Sequence, residues 1–345
     1  MSSREDGAST APGVLHRLLH PARREDLWNV SLDDLSNELL ARLTSGEVYK
    51  TNEQAVLGQQ LSDSLAAALD VHENRFAAHR YADLLRPILE RLKPSDLRGA
   101  TVVDLGCGSL NPFGFSFLLL MLGAERAYAI DLDPIQDDTV AVRALATAAS
   151  WLLLDSRRVL GTETETIPPE DVIGNLRGFQ LPLLAAGDMA GLASDRLLHR
   201  VESVYDLSLP DEEADAVFSV SLFEHVDRVG EALDSLRRIT KPGGIGNHVI
   251  DFSDHRVYAG QVKSPFEFLK IASGDPLVYG SNRLRCDQFC ELFEQHGFDV
   301  EDVHTAGPYT ADLSDKERAQ FVEPYRSMRR ENLTAVGARI VVRRR

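Results

Sequence analysis

Hydrophobic residues along the chain follow a helical spacing first and a strand-like spacing later. In the first part they recur three and four positions apart, as at Leu39, Leu40 and Leu43, which places them on one face of a helix. Further on, short β-branched runs alternate with helical stretches. We therefore expect a helical N-terminal region, or lid, over residues 29–98 and an α/β domain over residues 99–342.

A strand, a glycine turn, a helix and a second strand open the α/β domain. Residues 101–105 form a β-branched run that ends at Gly106-Cys107-Gly108. Asn111-Pro112 then predicts the start of a helix, because Asn is a preferred N-cap and Pro suits the first helical position. The helix is expected to end at Gly123, and residues 127–131 form the second strand. Such a unit predicts a parallel sheet.

The alternation of helix and strand continues to the end of the chain. Further strands are predicted at residues 200–205, 215–221, 245–252 and 335–342, and further helices at residues 135–154, 229–239 and 289–297. Residues 155–199 are expected to form a partly helical insertion. The pattern indicates an open, doubly wound, Rossmann-like α/β sheet, which binds ligands at the carboxyl ends of its strands.

Composition narrows the class of protein. The 345 residues carry 37 Lys and Arg against 53 Asp and Glu, a net charge of −16, so nucleic acid is not expected as a partner. Three cysteines favour a reducing, cytoplasmic location over a disulfide framework. No apolar run is long enough to span a membrane, and no signal peptide is expected. Residues 1–28, rich in Ser, Gly, Ala, Pro and charge, predict a disordered tail.

The motif Asp104-x-Gly106-x-Gly108 lies where the first strand ends. Glycines there let the backbone approach a ligand closely. Asp131, at the tip of the second strand, can accept hydrogen bonds from both hydroxyls of a ribose. The dinucleotide motif G-x-G-x-x-G would need glycine where Asn111 stands, and no phosphate-binding loop is present. The pattern predicts a nucleoside ligand without a pyrophosphate.

Six motifs in order resemble class I S-adenosylmethionine-dependent methyltransferases over about residues 80–342. They lie at residues 103–108, 129–133, 206–210, 215–219, 223–226 and 239–244. The resemblance implies a seven-stranded sheet with an antiparallel last strand and S-adenosylmethionine as cofactor. Leu110 stands where the family often has a third glycine, so the loop at the methionine end is expected to differ in shape.

The same resemblance implies a set of cofactor contacts. Gly106 and Gly108 are expected under the methionine part, Asp131 on the ribose and Asp206 near the adenine amino group. The full set is Asp104, Gly106, Cys107, Gly108, Asn111, Asp131, Leu132, Asp206, Leu207, Ser221 and Glu224. For Glu224, pairing with a cation of the N-terminal region is the alternative.

Residues 246–255 and 280–285 resemble a narrower group, the methyltransferases of sugar and polysaccharide biosynthesis. This resemblance implies O-methylation of a hydroxyl on a sugar, glycoside or polysaccharide precursor. The expected partner is a small-molecule or oligosaccharide acceptor.

A hydroxyl acceptor needs a general base to remove its proton. Histidine can serve as that base because it titrates near neutral pH. The candidate bases are His248, His255 and His225, in that order of preference, with Asp251 beside them near the carboxyl end of the predicted strand. For His225, a structural role as a wall of the cofactor site is the alternative.

A metal ion is a second use for the same stretch. Asp251, Asp254 and His255 lie within five residues and could hold Mg²⁺ or Mn²⁺, which would orient and acidify a sugar diol. Two structural explanations stay open. Asp254 and His255 could cap a turn, and Asp251 could pair with Arg256 or Arg283.

Other functions also stay open at this stage. The enzyme could methylate a nitrogen or carboxylate of a small metabolite. The chain could be a non-catalytic partner that only binds S-adenosylmethionine, or an NAD-dependent oxidoreductase. Assembly into a homo-oligomer is compatible with the sequence but not indicated by it.

Overall fold

The computed structural model describes residues 94–145, 148, 149, 152, 169–193, 195–305 and 310–345. The predicted tail and nearly all of the predicted N-terminal lid lie outside these residues. The chain divides into two compact units. The first comprises Met1–Arg98, Phe113–Gly123 and Ile135–Leu197, and the second comprises Gly99–Pro112, Ala124–Pro134 and Leu198–Arg345.

The first unit contributes short helices to the described part of the chain. They are α1 (Pro94–Leu97), α2 (Gly114–Met121), α3 (138–145), α4 (Pro169–Asn175) and α5 (Leu181–Ala186). All eight residues of α2 are buried, and the Asn175 side chain donates a hydrogen bond to Met121 O at 3.0 Å, which satisfies a carbonyl at the end of that helix. Two helices, α4 and α5, lie within the predicted insertion.

The second unit is built around a seven-stranded sheet in the order β3-β2-β1-β4-β5-β7-β6. The strands are β1 (Thr101–Leu105), β2 (Arg126–Asp131), β3 (Leu197–Val201), β4 (Ala214–Val220), β5 (Thr240–Asp251), β6 (Phe298–His304) and β7 (Gly337–Arg344). Strands β2, β1, β4 and β5 are parallel neighbours, whereas β7 runs antiparallel to β5 and β6. The expected doubly wound sheet with an antiparallel last strand is confirmed.

Two amphipathic helices of the second unit bury their apolar faces in the main core. They are α6 (Val229–Ile239) and α7 (Cys286–Gln295). Leu233 and Leu236 of α6 and Phe289 and Phe293 of α7 are fully buried in one cluster with side chains of the sheet. Helices α8 (Asp315–Arg318) and α9 (Arg330–Thr334) complete the unit. The helical spacing at residues 229–239 predicted α6 correctly.

Arg285 fixes the chain just beyond the end of β5. Its guanidinium is fully buried and donates hydrogen bonds to Phe252 O at 2.7 Å and Leu333 O at 2.9 Å, and also to Ala335 O. Burial lowers the pKa of this guanidinium to about 10. Because several backbone carbonyls share one cation, the segment after β5 is held against the chain that leads into β7.

Several predicted boundaries were wrong. The helix expected from Asn111 begins at Gly114, and Asn111 itself is buried. The strand expected at residues 200–205 is β3, three residues earlier, because the Glu202 carboxylate accepts a hydrogen bond from Ser208 N at 2.9 Å and turns the chain.

Two features of the sheet were not predicted from the residues. Strand β5 already starts at Thr240, where it pairs with Ala214 before a register shift in β4. Strand β6 was missed because acidic residues interrupt its apolar pattern. It pairs only with β7 at the edge of the sheet, so it needs little apolar surface.

No helix in the described ranges is both long enough and apolar enough to cross a membrane. Cys107, Cys286 and Cys290 are free thiols.

Candidate active site

The turn after β1, which we call the glycine loop (residues 106–108), is shaped by its backbone. Gly106 and Gly108 have φ values of +75° and +79°, a region that favours glycine. Gly106 N and Cys107 N donate hydrogen bonds to Ile130 O at 2.8 and 3.2 Å. A Cβ at Gly106 would lie 3.1 Å from the Leu222 Cβ, so this glycine also permits close packing against the chain after β4.

Asp131, the last residue of β2, is tied directly to this loop. One carboxylate oxygen accepts a hydrogen bond from Gly108 N at 2.7 Å, and the other accepts one from Asp133 N at 3.0 Å. A Cβ at Gly108 would meet no atom within 4 Å. Each carboxylate oxygen has further lone pairs, so the site offers a fixed acceptor beside open space, as a ribose of S-adenosylmethionine would need.

Other residues of the expected cofactor set lie at neighbouring strand ends. Leu132, directly after Asp131, is 70% exposed. Asp206 is exposed in the turn after β3, and Ser221 is exposed directly after β4 with a φ of +53°. These positions agree with ligand binding at the carboxyl edge of the sheet.

Four members of the expected set are less accessible. Leu207 is 2% exposed and packs in the main core, so only its backbone is left for a ligand. Asp104 and Asn111 are buried. Cys107 is half-buried, and burial raises the pKa of its thiol well above the usual range, which keeps it neutral and suits a packing role.

A second group of side chains gathers at the carboxyl ends of β4 and β5. We call Glu224, His225, Asp251 and His255 the imidazole–carboxylate cluster. Glu224 and His225 lie in a single 3₁₀ turn after β4, Asp251 ends β5, and His255 opens the next 3₁₀ turn. Because β4 and β5 are parallel neighbours, their ends meet at the same edge of the sheet.

Asp251 and His255 form a pair within this cluster. His255 Nε2 lies 3.3 Å from Asp251 Oδ2, and this contact raises the pKa of His255 against the opposing effect of burial. Burial alone would raise the pKa of Asp251. Hydrogen bonds from His255, Ser253 and Tyr258 outweigh that effect and lower it, so Asp251 is ionised at neutral pH.

His225 is held in one tautomer. Its Nδ1 lies 2.7 Å from Gly280 O. A carbonyl only accepts hydrogen bonds, so Nδ1 carries the proton and Nε2 keeps its lone pair. The His225 ring meets the His255 ring edge to face, with centroids 4.9 Å apart. The two imidazoles therefore face the same small space.

Glu224 is the unusual member of the cluster. It is 1% exposed, and neither carboxylate oxygen has a hydrogen-bond partner among the residues that the structure describes. Burial raises the pKa of this carboxyl to about 8. A buried carboxylate needs a proton, a cation or a donor to be stable, so Glu224 is poised for one of them.

Asn282 positions the turn that carries Glu224 and His225. Its side-chain amide donates hydrogen bonds to Phe223 O at 2.7 Å and Val226 O at 2.9 Å, and its backbone N donates to Glu224 O at 2.8 Å. Sequence reasoning did not single out this residue. The only signal was its place in the stretch 280–285.

His248, the preferred base of the sequence analysis, lies in the core instead. It is fully buried, with Nδ1 2.8 Å from Ser219 Oγ and its ring stacked on Phe293 at a centroid distance of 5.2 Å. Burial lowers its pKa to about 3. The strand alternation explains this position, because His248 shares a face with the buried Ile250 while Asp251 lies on the other face.

Asp254 also differs from its expected role. It is fully buried, accepts Arg256 Nη2 at 2.6 Å and Nε at 2.9 Å, and caps the turn through Arg256 N at 3.1 Å. The turn-capping explanation is thus confirmed for Asp254. The negative charge of Asp254 is already paired with Arg256. Asp251, Asp254 and His255 therefore do not form the metal site that was expected.

The alternative pairing of Asp251 with an arginine is wrong as well. Arg256 pairs with Asp254, and Arg283 donates a hydrogen bond to Ile271 O at 2.7 Å. Among the described residues, a different set comes together. Glu224, His225 and His255 each have a potential ligand atom within 4.8 Å of those of the other two.

Residues 186–246 match the family model of the methyltransferase domain. The matched segment covers β3, β4, the turn with Glu224 and His225, and α6. The segment therefore includes two whole strands of the seven-stranded sheet, whose antiparallel last strand the sequence resemblance implied. This part of the chain is similar to methyltransferase domains. The geometry of Gly108 and Asp131 fits a ligand that carries a ribose.

Solved structures resemble this chain only distantly. An S-adenosylmethionine-dependent methyltransferase from Mesorhizobium loti is 17% identical, with a TM-score of 0.39 over 75% of this chain and 96% of that chain. Geranyl diphosphate C-methyltransferase from Streptomyces coelicolor A3(2), solved with Mg²⁺, geranyl diphosphate and S-adenosyl-L-homocysteine, is 15% identical, with a TM-score of 0.44 over 83% and 82%. The [4+2]-cyclase SpnF is 17% identical, with a TM-score of 0.41 over 77% and 80%.

These similarities are too low to assign an acceptor. No match was found among curated protein sequences. The acceptor must therefore be argued from the site itself.

Proposed function

We propose that the protein is an S-adenosylmethionine-dependent methyltransferase that methylates a hydroxyl of a sugar, glycoside or polysaccharide precursor. The observation that carries this proposal is the imidazole–carboxylate cluster at the carboxyl ends of β4 and β5. A hydroxyl is a weak nucleophile until its proton is removed. A carboxylate and an unprotonated amine are nucleophilic without such help, so they give less reason for this arrangement.

The donor is proposed to lie at the adjacent strand ends. Gly106 and Gly108 lie under its methionine part, Asp131 accepts hydrogen bonds from the ribose hydroxyls, and Asp206 lies near the adenine amino group. Support comes from the carboxylate of Asp131, which two backbone N–H groups hold in place, and from the exposed position of Asp206.

Bound S-adenosylmethionine supplies a methyl carbon on a positively charged sulfur. The acceptor oxygen uses a lone pair to form the new C–O bond, while the electron pair of the broken C–S bond returns to sulfur. The oxygen loses its proton to the cluster and then to solvent. The protein's contribution is to hold the oxygen in line with the methyl group and to exclude water.

Within the cluster, His255 and His225 are proposed to act on the acceptor hydroxyl, and Asp251 positions His255. The 3.3 Å contact between Asp251 and His255 and the fixed tautomer of His225 support these roles. His248 has no part in the proposal, because it is buried beside Phe293.

The carbohydrate nature of the acceptor rests on two observations. The stretches 246–255 and 280–285 resemble sugar and polysaccharide methyltransferases. Tyr258 is 69% exposed and donates a hydrogen bond to Asp251 Oδ2 at 2.7 Å, so an aromatic ring stands beside the cluster. The apolar face of a sugar ring packs well on such an aromatic surface.

The test is methyl transfer from isotopically labelled S-adenosylmethionine to a panel of acceptors. The panel contains glycosides and sugar nucleotides, with matched amines and carboxylic acids. We expect label on a sugar oxygen, located by mass spectrometry and NMR. Label on a nitrogen or a carboxylate would contradict the proposal, as would donor binding without transfer to any hydroxyl in the panel.

A further inference from the structure

We infer that Glu224, His225 and His255 form a binding site for a divalent transition-metal ion such as Mn²⁺, Fe²⁺, Co²⁺ or Zn²⁺. The existence of the site stands on its geometry alone. Its part in catalysis rests on the proposed O-methyltransferase function.

The spacing of the three side chains suits one ion. A ligand atom of each lies within 4.8 Å of the ligand atoms of the other two. Metal–ligand bonds to imidazole and carboxylate are about 2.1 Å, so two ligands at the tetrahedral angle around one ion are about 3.4 Å apart. Side-chain rotations that bring the ligand atoms about 1.4 Å closer, or less, would let the three groups share an ion.

Glu224 gives the second and independent observation. Its carboxylate is almost completely buried, and in the part of the chain that the structure describes neither oxygen has a hydrogen-bond partner. Asn282 holds the Glu224 backbone in place through a 2.8 Å hydrogen bond. A buried carboxylate aimed at two imidazoles is an arrangement that a cation stabilises.

Each imidazole has the outer partner that a metal-bound histidine usually has. His225 Nδ1 donates to Gly280 O at 2.7 Å, which leaves Nε2 free to bind. His255 is oriented by Asp251 at 3.3 Å. Such outer contacts fix the tautomer and the ring orientation of metal ligands.

The donor set decides the kind of ion. Two imidazoles and one carboxylate suit transition metals, whereas Mg²⁺ prefers oxygen ligands and retains several waters. In place of Mg²⁺ or Mn²⁺ at Asp251, Asp254 and His255, we therefore infer a transition-metal ion on Glu224, His225 and His255.

In the proposed reaction the ion would add positive charge beside the acceptor. With the ion bound, His225 and His255 would act on the hydroxyl through the ion and not as bases, and the charge of the ion would favour loss of the hydroxyl proton to solvent. An ion with free coordination positions would also hold two neighbouring hydroxyls, so the site points to a vicinal diol as the acceptor.

Direct Co²⁺ binding tests the site without any acceptor. The full-length protein is treated with EDTA, dialysed into metal-free buffer and titrated with Co²⁺, with bound metal measured by elemental analysis and visible absorption. We expect about one Co²⁺ per chain with the absorption of a nitrogen-ligated ion, and weaker binding of Mg²⁺. Absence of bound Co²⁺ would overturn the inference.

Two variants assign the ion to these residues. Glu224→Gln keeps the side-chain size and should weaken Co²⁺ binding at least 10-fold. His255→Ala leaves Glu224 intact and should also weaken Co²⁺ binding at least 10-fold. The matched control is His296→Ala, because His296 forms another histidine–carboxylate pair, 2.7 Å from Asp234. Wild-type affinity in both cluster variants would overturn the inference.

The experiments can contradict the metal site and the proposed acceptor independently of each other. Tight Co²⁺ binding that depends on Glu224, without methylation of any hydroxyl, would establish the site and contradict the acceptor. Hydroxyl methylation by protein that binds no Co²⁺ would overturn the site and leave the acceptor standing.

Discussion

The glycine loop and the imidazole–carboxylate cluster occupy the same edge of one sheet but satisfy their polar groups differently. In the glycine loop, backbone N–H groups are paired with Ile130 O and with the Asp131 carboxylate. In the cluster, the buried Glu224 carboxylate has no such partner among the described residues. The polar groups of the proposed donor side are therefore paired before a ligand arrives, whereas Glu224 on the proposed acceptor side needs a further charge or proton.

The two regions also differ in what builds them. The glycine loop owes its shape to positive φ angles and backbone hydrogen bonds. The cluster owes its properties to four side chains from the turn after β4, the end of β5 and the turn that follows β5, held by contacts such as those of Asn282. We therefore expect changes in the loop to weaken donor binding and changes in the cluster to reduce turnover.

The largest effect on turnover is expected for His255→Ala. Loss of an imidazole that acts on the acceptor proton should reduce kcat about 100-fold or more, with little change in S-adenosylhomocysteine affinity. Steady-state kinetics and calorimetry measure the two quantities.

His248→Ala is the matched control for His255→Ala. Removing a fully buried ring beside Phe293 should lower the free energy of unfolding by roughly 2–4 kcal/mol, while the folded fraction keeps its turnover within a few-fold. If His248→Ala abolishes turnover in folded protein and His255→Ala does not, the assignment of the cluster is wrong.

Gly108→Ala should weaken donor binding by roughly 10-fold, since it strains the left-handed backbone by about 1–2 kcal/mol and places a methyl group beside Asp131. Gly243→Ala is the control, because Gly243 has a φ of +76° and also meets no atom within 4 Å of an added Cβ. Both variants should lose similar stability. Equal donor affinity in the two would contradict the placement of the ligand at Gly108.

Asp251→Asn tests whether Asp251 positions His255 on the proposed acceptor side. The amide keeps the shape but weakens the contact that orients His255, so turnover should fall roughly 10-fold with donor affinity unchanged. Asp234→Asn alters the other histidine–carboxylate pair, with His296, and should leave turnover at the wild-type level. A similar loss of turnover in both variants would show that the effect is not specific to the cluster.

The smallest effect is expected for Asn282→Ala. Two hydrogen bonds to Phe223 O and Val226 O are lost, which should lower the free energy of unfolding by about 1–3 kcal/mol and reduce turnover a few-fold. Chemical denaturation and kinetics measure both. Unchanged values for both would show that Asn282 does not position the Glu224 turn.

Much of the fold could be predicted from local patterns. Strand β1 and helix α6 match their predicted ranges, because an apolar β-branched run and a regular helical face leave few alternatives. The edge strand β6 could not be predicted, since a strand with one neighbour tolerates acidic residues such as Asp299 and Glu301.

The part of the candidate site that the backbone forms could be predicted from the sequence. The part that side chains form could be predicted less well. Gly106, Gly108 and Asp131 follow from the strand–turn–strand pattern. The order of the histidines was wrong, because the pattern does not show that His248 faces Phe293 in the core. The gathering of Glu224 with His255 depends on the pairing of β4 with β5, which spacing along the chain does not reveal.

We propose that the Asp131 carboxylate holds the donor at a part of the sheet edge to which the cluster does not contribute. Calorimetric titration of S-adenosylhomocysteine into wild type, Asp131→Ala and His255→Ala tests this most directly, with Asp315→Ala, an exposed carboxylate, as control. We expect about 100-fold weaker binding in Asp131→Ala alone, from the loss of hydrogen bonds to a charged group. Wild-type affinity in Asp131→Ala, or an equal loss in His255→Ala, would contradict it.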